Sequence, residues 1–508
     1  MLSMSPYFAA LDLGSNSFHL LVVKTTQNGI QEIDKVKHMV RLGEGLDEDN
    51  ALSEKAMQRG LNALSQMWQL MDNIPNEHIR VVATNTLRIA KNSADFVARA
   101  EATLGHEIEI ISGTEEARLI YLGITAHNHF KDHNLVIDVG GGSTEIIVGT
   151  NTQADVLRSL KIGCANMAQR FFAKGRISKS GVKKALNHVG KTIEPHITSY
   201  TNTAWQRVIL SSGTAKSVLK VLQRKDANLN RINIKQLNNL LDQLVEIGHY
   251  KYLSDQLDID EARAFGFTGG VCILAGLFQH LQIDEAIVSQ EALREGVLLD
   301  LMGRSDGQTD EREYTIRALQ QRFNIDIAHA NRVSELAEHL NNQLPLKAPP
   351  RLVPMLYFAA QVHEIGLAVA LSKQQQHGAY LISNADLPGF SRLMQNMMAL
   401  LIKGQRKKLP YKPIMALSKP ADTLTLQYCL ALRLAALIYR ARRNISHDQY
   451  PSLDQQGSTF TLTFPKDYLA THPLTHADLV EEQEYWANCG GKLTLHFKEH
   501  DEETKKSI

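Results

Sequence analysis

Asp12 and Asp138 each stand immediately before a small-residue turn, 126 positions apart, in near-copies of one motif. The first copy, AALDLGSNSFHLLVV, runs from Ala9 to Val23, and the second, LVIDVGGGSTEIIVG, from Leu135 to Gly149. Gly14 aligns with Gly140 and Ser17 with Ser143. Each copy is an apolar run, an Asp, a tight turn and a second apolar run, which predicts a β-hairpin. Gly140, Gly141, Gly142 and Ser143 leave successive backbone N–H groups unshielded, an anion nest of phosphate size. Gly14, Ser15, Asn16 and Ser17 are its less glycine-rich twin. Carboxylates beside such turns suit Mg²⁺, which bridges one or two carboxylates to phosphate oxygens and keeps several waters. Glu145, on the outgoing strand, either faces the same cleft or is an exposed strand residue. Two copies imply two related lobes gripping a phosphate chain from both sides.

Three further segments could join them. Ser211, Ser212, Gly213 and Thr214 form a strand–turn–helix junction, either a far wall of the cleft or a plain helix cap. In SGTEEAR, Ser112 to Arg118, two acids open a helix, where carboxylates complement the helix dipole. One of them, reaching the cleft, could orient and deprotonate a water attacking a phosphoryl group. Arg88, in TNTLR, follows a short buried strand; it either stabilises charge on a transferring phosphoryl group or sits in a surface ion pair.

The elements that must position these residues alternate strand and helix, which predicts an α/β fold. Ser53 is a candidate N-cap for a helix whose stripe is Met57, Leu61, Leu64, Trp68 and Met71. Residues 79–83 and 108–112 read as short strands. The expected organisation is a first lobe at 1–124, a second at 125–304, a polar linker at 305–313, a helical domain at 314–445 and a small α+β module at 446–508. Period-2 runs at 458–465 and 492–497 predict strands in that module, and 498–508 a frayed charged tail.

At 508 residues, 44% apolar and 21% charged, the chain has mass for several cores. A net charge of +1 excludes a whole-chain polyanion binder, so basic surface must be local. The four cysteines are scattered, without zinc-site spacing, and read as reduced thiols in a cytoplasmic protein. No signal peptide is expected, and no apolar run near the ~20 residues of a membrane helix.

The motifs DLGSNSFH, ATNTLR, ISGTEEARL, DVGGGSTE, SGT and ALREG, in this order from Tyr7 to Gly296, resemble the exopolyphosphatase / guanosine pentaphosphate phosphohydrolase (Ppx/GppA) family, long multi-domain type. The resemblance implies two actin-like (ribonuclease H-like) lobes, a helical domain related to His-Asp phosphohydrolases, and the small terminal module. It implies Glu116 as general base, Arg88 as a supporting charge, and Asp138 and Glu145 organising Mg²⁺. Phosphate would be held by Gly140, Gly141, Gly142 and Ser143, by Asp12, Gly14, Ser15 and Asn16 from the facing lobe, and by Ser212, Gly213 and Thr214. Ser211, Gly269, Gly270 and Glu291 depart from the family's usual residues, and Glu291 raises the prospect of an extra carboxylate near the cleft.

The implied activity is release of terminal phosphate from guanosine 5′-triphosphate 3′-diphosphate (pppGpp, giving ppGpp in the stringent response), from inorganic polyphosphate, or from both, with a lean to the nucleotide. The alternatives are an ATP-dependent kinase of the same superfold and a ppGpp-binding regulator without turnover. Neither nucleic acid nor membrane is expected as partner; a homodimer is. In the helical domain, VHEIG (Val362 to Gly366), His377 and DLPGF (Asp386 to Phe390) resemble a degenerate His-Asp site. Glu364 replaces the required Asp, so His363 is expected to be a hydrogen-bonded core residue and no metal is predicted there. Basic clusters at 403–408 and 440–443 are either a solvated face or a polyanion track.

Overall fold

The computed structural model describes residues 5–27, 29–128, 132–305, 310–465 and 468–497. The expected tail at 498–508 and residues 306–309 of the expected linker lie outside the described residues. On either side of that gap the chain is helical, through Ser305 and again from Glu311. Two compact units result, Met1–Asp310 and Glu311–Ile508.

The first unit builds one topology twice. Strands β1 (Tyr7–Leu13), β2 (Phe18–Thr26) and β3 (Gly29–His38) form an antiparallel meander. Strands β4 (Ile79–Ala83) and β5 (Glu109–Ile110) add to it in parallel, giving the order β3-β2-β1-β4-β5. In the second sheet, β6 (His133–Val139), β7 (Thr144–Thr150) and β8 (Gln153–Leu160) repeat the meander. There β9 (Arg207–Ser211), β10 (Arg231–Asn233) and β11 (Glu285–Val288) complete the order β10-β11-β9-β6-β7-β8. The duplicated motif is thus a duplicated fold, the actin-like one. Its register aligns too: Asp12 pairs with His19 as Asp138 pairs with Glu145. The inner strands β6 and β7 are buried on consecutive residues, as strands covered on both faces must be. By contrast β3 is a largely exposed edge carrying Lys35 and Lys37, charges that discourage further strand pairing.

A pair of crossing helices, Gly113–Asn128 and Leu293–Ser305, lies beneath the sheets. The second comes at the end of the second lobe in sequence but packs on β1 and β4 of the first. At the crossing, a Cβ on Gly296 would stand 1.8 Å from the Leu119 carbonyl oxygen, so only glycine permits this approach. Around it lies a buried charge network. Asp300 accepts from Arg80 at 2.6 Å and Arg118 at 2.6 Å and pairs with Arg304 at 2.8 Å. Glu115 holds Arg118 at 2.8 Å, and Glu109 holds Arg80 at 3.2 Å.

The second unit is helical from Glu311 to Ile438, followed by the sheet β12 (Ser452–Gln456), β13 (Thr459–Phe464) and β14 (Lys492–Phe497). Leu453, Leu462, Phe464 and Trp486 belong to the same core as the helices. A fully buried Arg433 fastens helix Ala421–Ile438 to Glu482 of helix Pro473–Ala487, at 2.5 and 2.6 Å. Among the described residues, two 21-residue segments, Glu261–Leu281 and Ala421–Ala441, are long and apolar enough to cross a membrane. No apolar run of that length was expected from the sequence; Gly, Thr and Gln lie within these two segments. Both are 78% buried over their most apolar window, the environment of core helices.

Candidate active site

A cleft of about 1470 Å³ opens between the two sheets of the first unit. Asp12, Gly14, Ser15, Asn16, Gly140, Gly141, Gly142, Ser143, Ser212, Gly213 and Thr214 all line it, with Glu116 and Asp138. The turns after β1 and β6 face each other because both hairpins point inward from matched sheets. Gly142 approaches the opposite lobe so closely that a Cβ there would lie 2.0 Å from the Asn85 amide nitrogen. Ser212 has a left-handed backbone, φ 88°, and its Oγ accepts from the Thr214 N–H at 3.1 Å. Thr214 Oγ1 donates to the Val139 carbonyl at 3.1 Å, tying this turn to the end of β6.

The carboxylates form the most costly feature of the cleft. Asp12 is half-buried, and its Oδ1 is inaccessible with no hydrogen-bond partner. Burial holds its pKa well above the ordinary carboxylate range; the charges of Glu116 and Asp138 add to this, and Arg294 opposes it. Burial likewise pushes Asp138 up to about 6, against a hydrogen bond from Ser211. Glu145 does not line the cleft. It lies beside Asp138 in the ladder, accepts from Ser159 Oγ at 2.7 Å, and is raised by burial and then by Glu116 and Asp138. Buried like charges with an orphaned oxygen make a donor set suited to a hard divalent cation.

The two adjacent acids of the helix at Gly113 separate completely. Glu115 is fully buried in the charge network beneath the sheets, while Glu116 faces the cleft. Arg88 does not line the cavity; its guanidinium donates to Glu116 at 2.7 Å and to the Ile111 carbonyl at 3.1 Å. It therefore fixes the orientation of the Glu116 carboxylate. His19, the register equivalent of Glu145, is lowered to about 3 by burial and by Arg294, and is neutral at neutral pH. Arg294 donates to its Nδ1 at 3.0 Å. The Nε2–H then donates to Ser17 Oγ at 2.7 Å, leaving the Ser17 hydroxyl proton for a ligand.

Further along the cleft lies a basic group that sequence reading missed: Lys35, Lys37, Lys216, Arg263 and Arg294. Lys37 is lowered to about 8, first by burial and then by Arg263, with Lys216 and Arg294 adding to the effect. The signals were present. Lys216 lies two residues past Thr214, Arg294 is inside ALREG, and Lys35 and Lys37 share one face of an edge strand. In the second unit, by contrast, two arginines of the basic cluster at 440–443 are engaged locally: Arg440 pairs with Asp478, and Arg442 with Glu364 and Asp326. Nor does Glu291 line the cleft. Its carboxylate accepts from Ser289 at 2.7 Å and Asn128 at 3.2 Å.

Duplicated α/β lobes whose small-residue turns and carboxylates face one cleft define a phosphoryl-group enzyme of the actin-like fold. The chain belongs to the Ppx/GppA phosphatase family: residues 21–305 match that family, and residues 312–483 match its domain III. It is a hydrolase. It is 34% identical over 499 residues to a guanosine-5′-triphosphate,3′-diphosphate pyrophosphatase of Aliivibrio fischeri, covering 97% of this chain and 98% of that protein. The protein of the same name from Vibrio cholerae is 36% identical over 498 residues, with the same coverage. Among solved structures, an exopolyphosphatase from Cytophaga hutchinsonii superposes with a TM-score of 0.54 at 23% identity, covering 60% of this chain and 99% of that one. A Ppx/GppA family member from Aquifex aeolicus gives a TM-score of 0.51 at 23% identity, with the same coverage.

Proposed function

We propose that this phosphatase removes the terminal phosphate of guanosine 5′-triphosphate 3′-diphosphate, with the end of inorganic polyphosphate as a second substrate. The observation that carries this reading is the presence of two anion sites in one cleft. The turns around Asp12 and Asp138 suit a terminal phosphate chain. The basic group at Lys37, Lys216, Arg263 and Arg294 brings like charges together, an arrangement that favours a second anion. A nucleotide with a second diphosphate engages both sites. The cleft also exceeds the ~300–1,000 Å³ of ordinary small-ligand pockets. The names of the relatives that match nearly the whole chain support the same substrate, and four free thiols support a reducing, cytoplasmic setting.

In the reaction, Glu116, held by Arg88, accepts a proton from a water whose oxygen attacks the terminal phosphorus. The bond from that phosphorus to the bridging oxygen breaks, and inorganic phosphate leaves. N–H groups of the turns at 14–17 and 140–143 hold the equatorial oxygens, with the Ser17 hydroxyl donating a further bond. Asp12 and Asp138 are the residues that would hold Mg²⁺, with Glu145 beside Asp138 on the same sheet face. When bound, Mg²⁺ supplies neutralisation of phosphate charge.

Phosphate release from the two substrates, measured side by side, tests this. The expected result is a kcat/KM for pppGpp above that for polyphosphate by at least about tenfold. Arg263→Gln should raise KM for pppGpp about tenfold and affect short polyphosphate less. Faster polyphosphate turnover would reject the assignment, and transfer of the phosphate to an added acceptor hydroxyl would make the protein a kinase.

The raised carboxylates add a pH prediction. Between the ordinary Asp value of 3.8 and about 6, the metal-free folded chain keeps a proton on Asp138 that the unfolded chain has released. Stability from this residue therefore falls as pH rises through that window, by about 3 kcal/mol in total. Added Mg²⁺ should raise Tm strongly at about pH 8 and little at about pH 5, where protons compete for the same oxygens. Asp138→Asn should stabilise the metal-free protein at about pH 8 and abolish the Mg²⁺ shift. A Mg²⁺ shift independent of pH would show that these carboxylates do not hold the ion.

A further inference from the structure

The second unit contains a separate cluster that the hydrolytic cleft does not use. Among the described residues, His329, His363 and Glu364 are the one His/Cys/Asp/Glu group whose ligand atoms all come within 4.8 Å of one another. His329 sits in the first turn of helix Ile327–Asn342, and His363 and Glu364 follow helix Met355–Gln361. Both rings are 3% exposed and lie 5.4 Å apart, centroid to centroid.

Their nitrogens have unequal partners. His363 Nδ1 donates to the Ala360 carbonyl at 2.7 Å, which fixes the tautomer and turns the Nε2 lone pair outward. A backbone carbonyl on the far nitrogen is the usual support of a metal-bound histidine. On His329, Nδ1 is buried with no hydrogen-bond partner, and Nε2 stands 3.8 Å from Glu364 Oε1, too far for a hydrogen bond. An imidazole with a buried nitrogen that has no partner is costly unless something else binds it. Glu364 is held by Arg442 at 2.8 and 2.7 Å, and the same guanidinium reaches Asp326 at 3.0 Å. That side chain is 42% exposed and free to swing into solvent.

The geometry points to a divalent transition-metal site, zinc by its ligand set, formed by His329, His363 and Glu364, with Arg442 as the displaceable cation that closes it. Two imidazoles favour zinc over Mg²⁺, and a His₂Glu set leaves a fourth position for water. Bond lengths of about 2 Å place tetrahedral ligands roughly 3.3 Å apart, so the three side chains close by small rotations once Arg442 leaves. Sequence reading passed over the site because it tested Glu364 against a required Asp and did not pair His363 with His329.

The test is titration of the chelator-stripped full chain with Zn²⁺ alone, in excess Mg²⁺ to occupy the cleft carboxylates, followed by X-ray absorption. The expected result is one Zn²⁺ per chain with imidazole scattering in its shell. His363→Gln should lose that site by more than the ~10–100-fold that an outer-shell change costs. Arg442→Gln should tighten it about tenfold, because a competing cation has been removed. If His363→Gln misfolds by circular dichroism, Arg442→Gln and the absorption spectrum decide. Unchanged zinc affinity in a folded His363→Gln variant, an Arg442→Gln variant that binds no tighter, or a zinc shell without imidazole would each overturn the assignment.

Discussion

Replacing Glu116 with Gln is expected to lower kcat for phosphate release by about 10²–10⁴-fold, the range for loss of a general base, with KM nearly unchanged. Gln keeps the size of the side chain and can still accept from Arg88 through its carbonyl oxygen, so the geometry of the pair survives. What it cannot do is take a proton from water. Stability should not fall, because the substitution removes one of the buried negative charges that raise Asp12, Asp138 and Glu145. Thermal shift with Mg²⁺ therefore separates this variant from a damaged one. Arg88→Gln supplies the contrast: it frees the Glu116 carboxylate without removing it, so the loss should be smaller and the pH profile should shift rather than vanish. Wild-type turnover in a folded Glu116→Gln protein would show that Glu116 is not the base for the attacking water.

The parts of this site that were legible from the chain are those that local sequence determines. A nest of N–H groups, an Asp one residue before it and the strands on either side occupy consecutive positions, so one hairpin announces itself and a second copy corroborates it. The choice of Glu116 over Glu115 also came from a motif, and the structure shows the physical division: one acid turns to the cleft, its neighbour to the buried Arg118 and Arg80. What local pattern does not carry is convergence from distant segments. Lys37, Lys216, Arg263 and Arg294 come from an edge strand and three helices, and none is unusual where it stands. Glu145 followed the same logic in reverse. Its register with Asp138 puts both carboxylates on the same face of the sheet, but Glu145 stands one strand further out, held by Ser159 of the next strand. The crossing helices were hidden because their partners are remote: Arg80 and Asp300 are 220 positions apart.

That same pair leads to the largest expected effect on stability. Asp300 is buried among Arg80, Arg118 and Arg304. Burial alone would raise its pKa, but Arg118, Arg304 and Arg80 together hold it well below the ordinary carboxylate range. A depressed carboxylate contributes stability that is complete above its unfolded pKa and disappears as pH falls through the folded one, so at neutral pH the whole contribution is present. Asp300→Asn leaves three guanidinium groups crowded in the interior beside the Glu109 and Glu115 carboxylates. Loss of one partner from such a network costs about 3–5 kcal/mol, because the charges left behind stay desolvated. Urea denaturation of the full chain should show the first unit's transition moving by that amount with its m-value unchanged. Glu54→Gln, which breaks the solvent-exposed pair with Arg99, is the control and should move the midpoint little. A loss of under about 1 kcal/mol in Asp300→Asn would mean that the guanidinium groups find water once the carboxylate is gone. The crossing of Gly113–Asn128 and Leu293–Ser305 would then be held by packing at Gly123 and Gly296 rather than by charge.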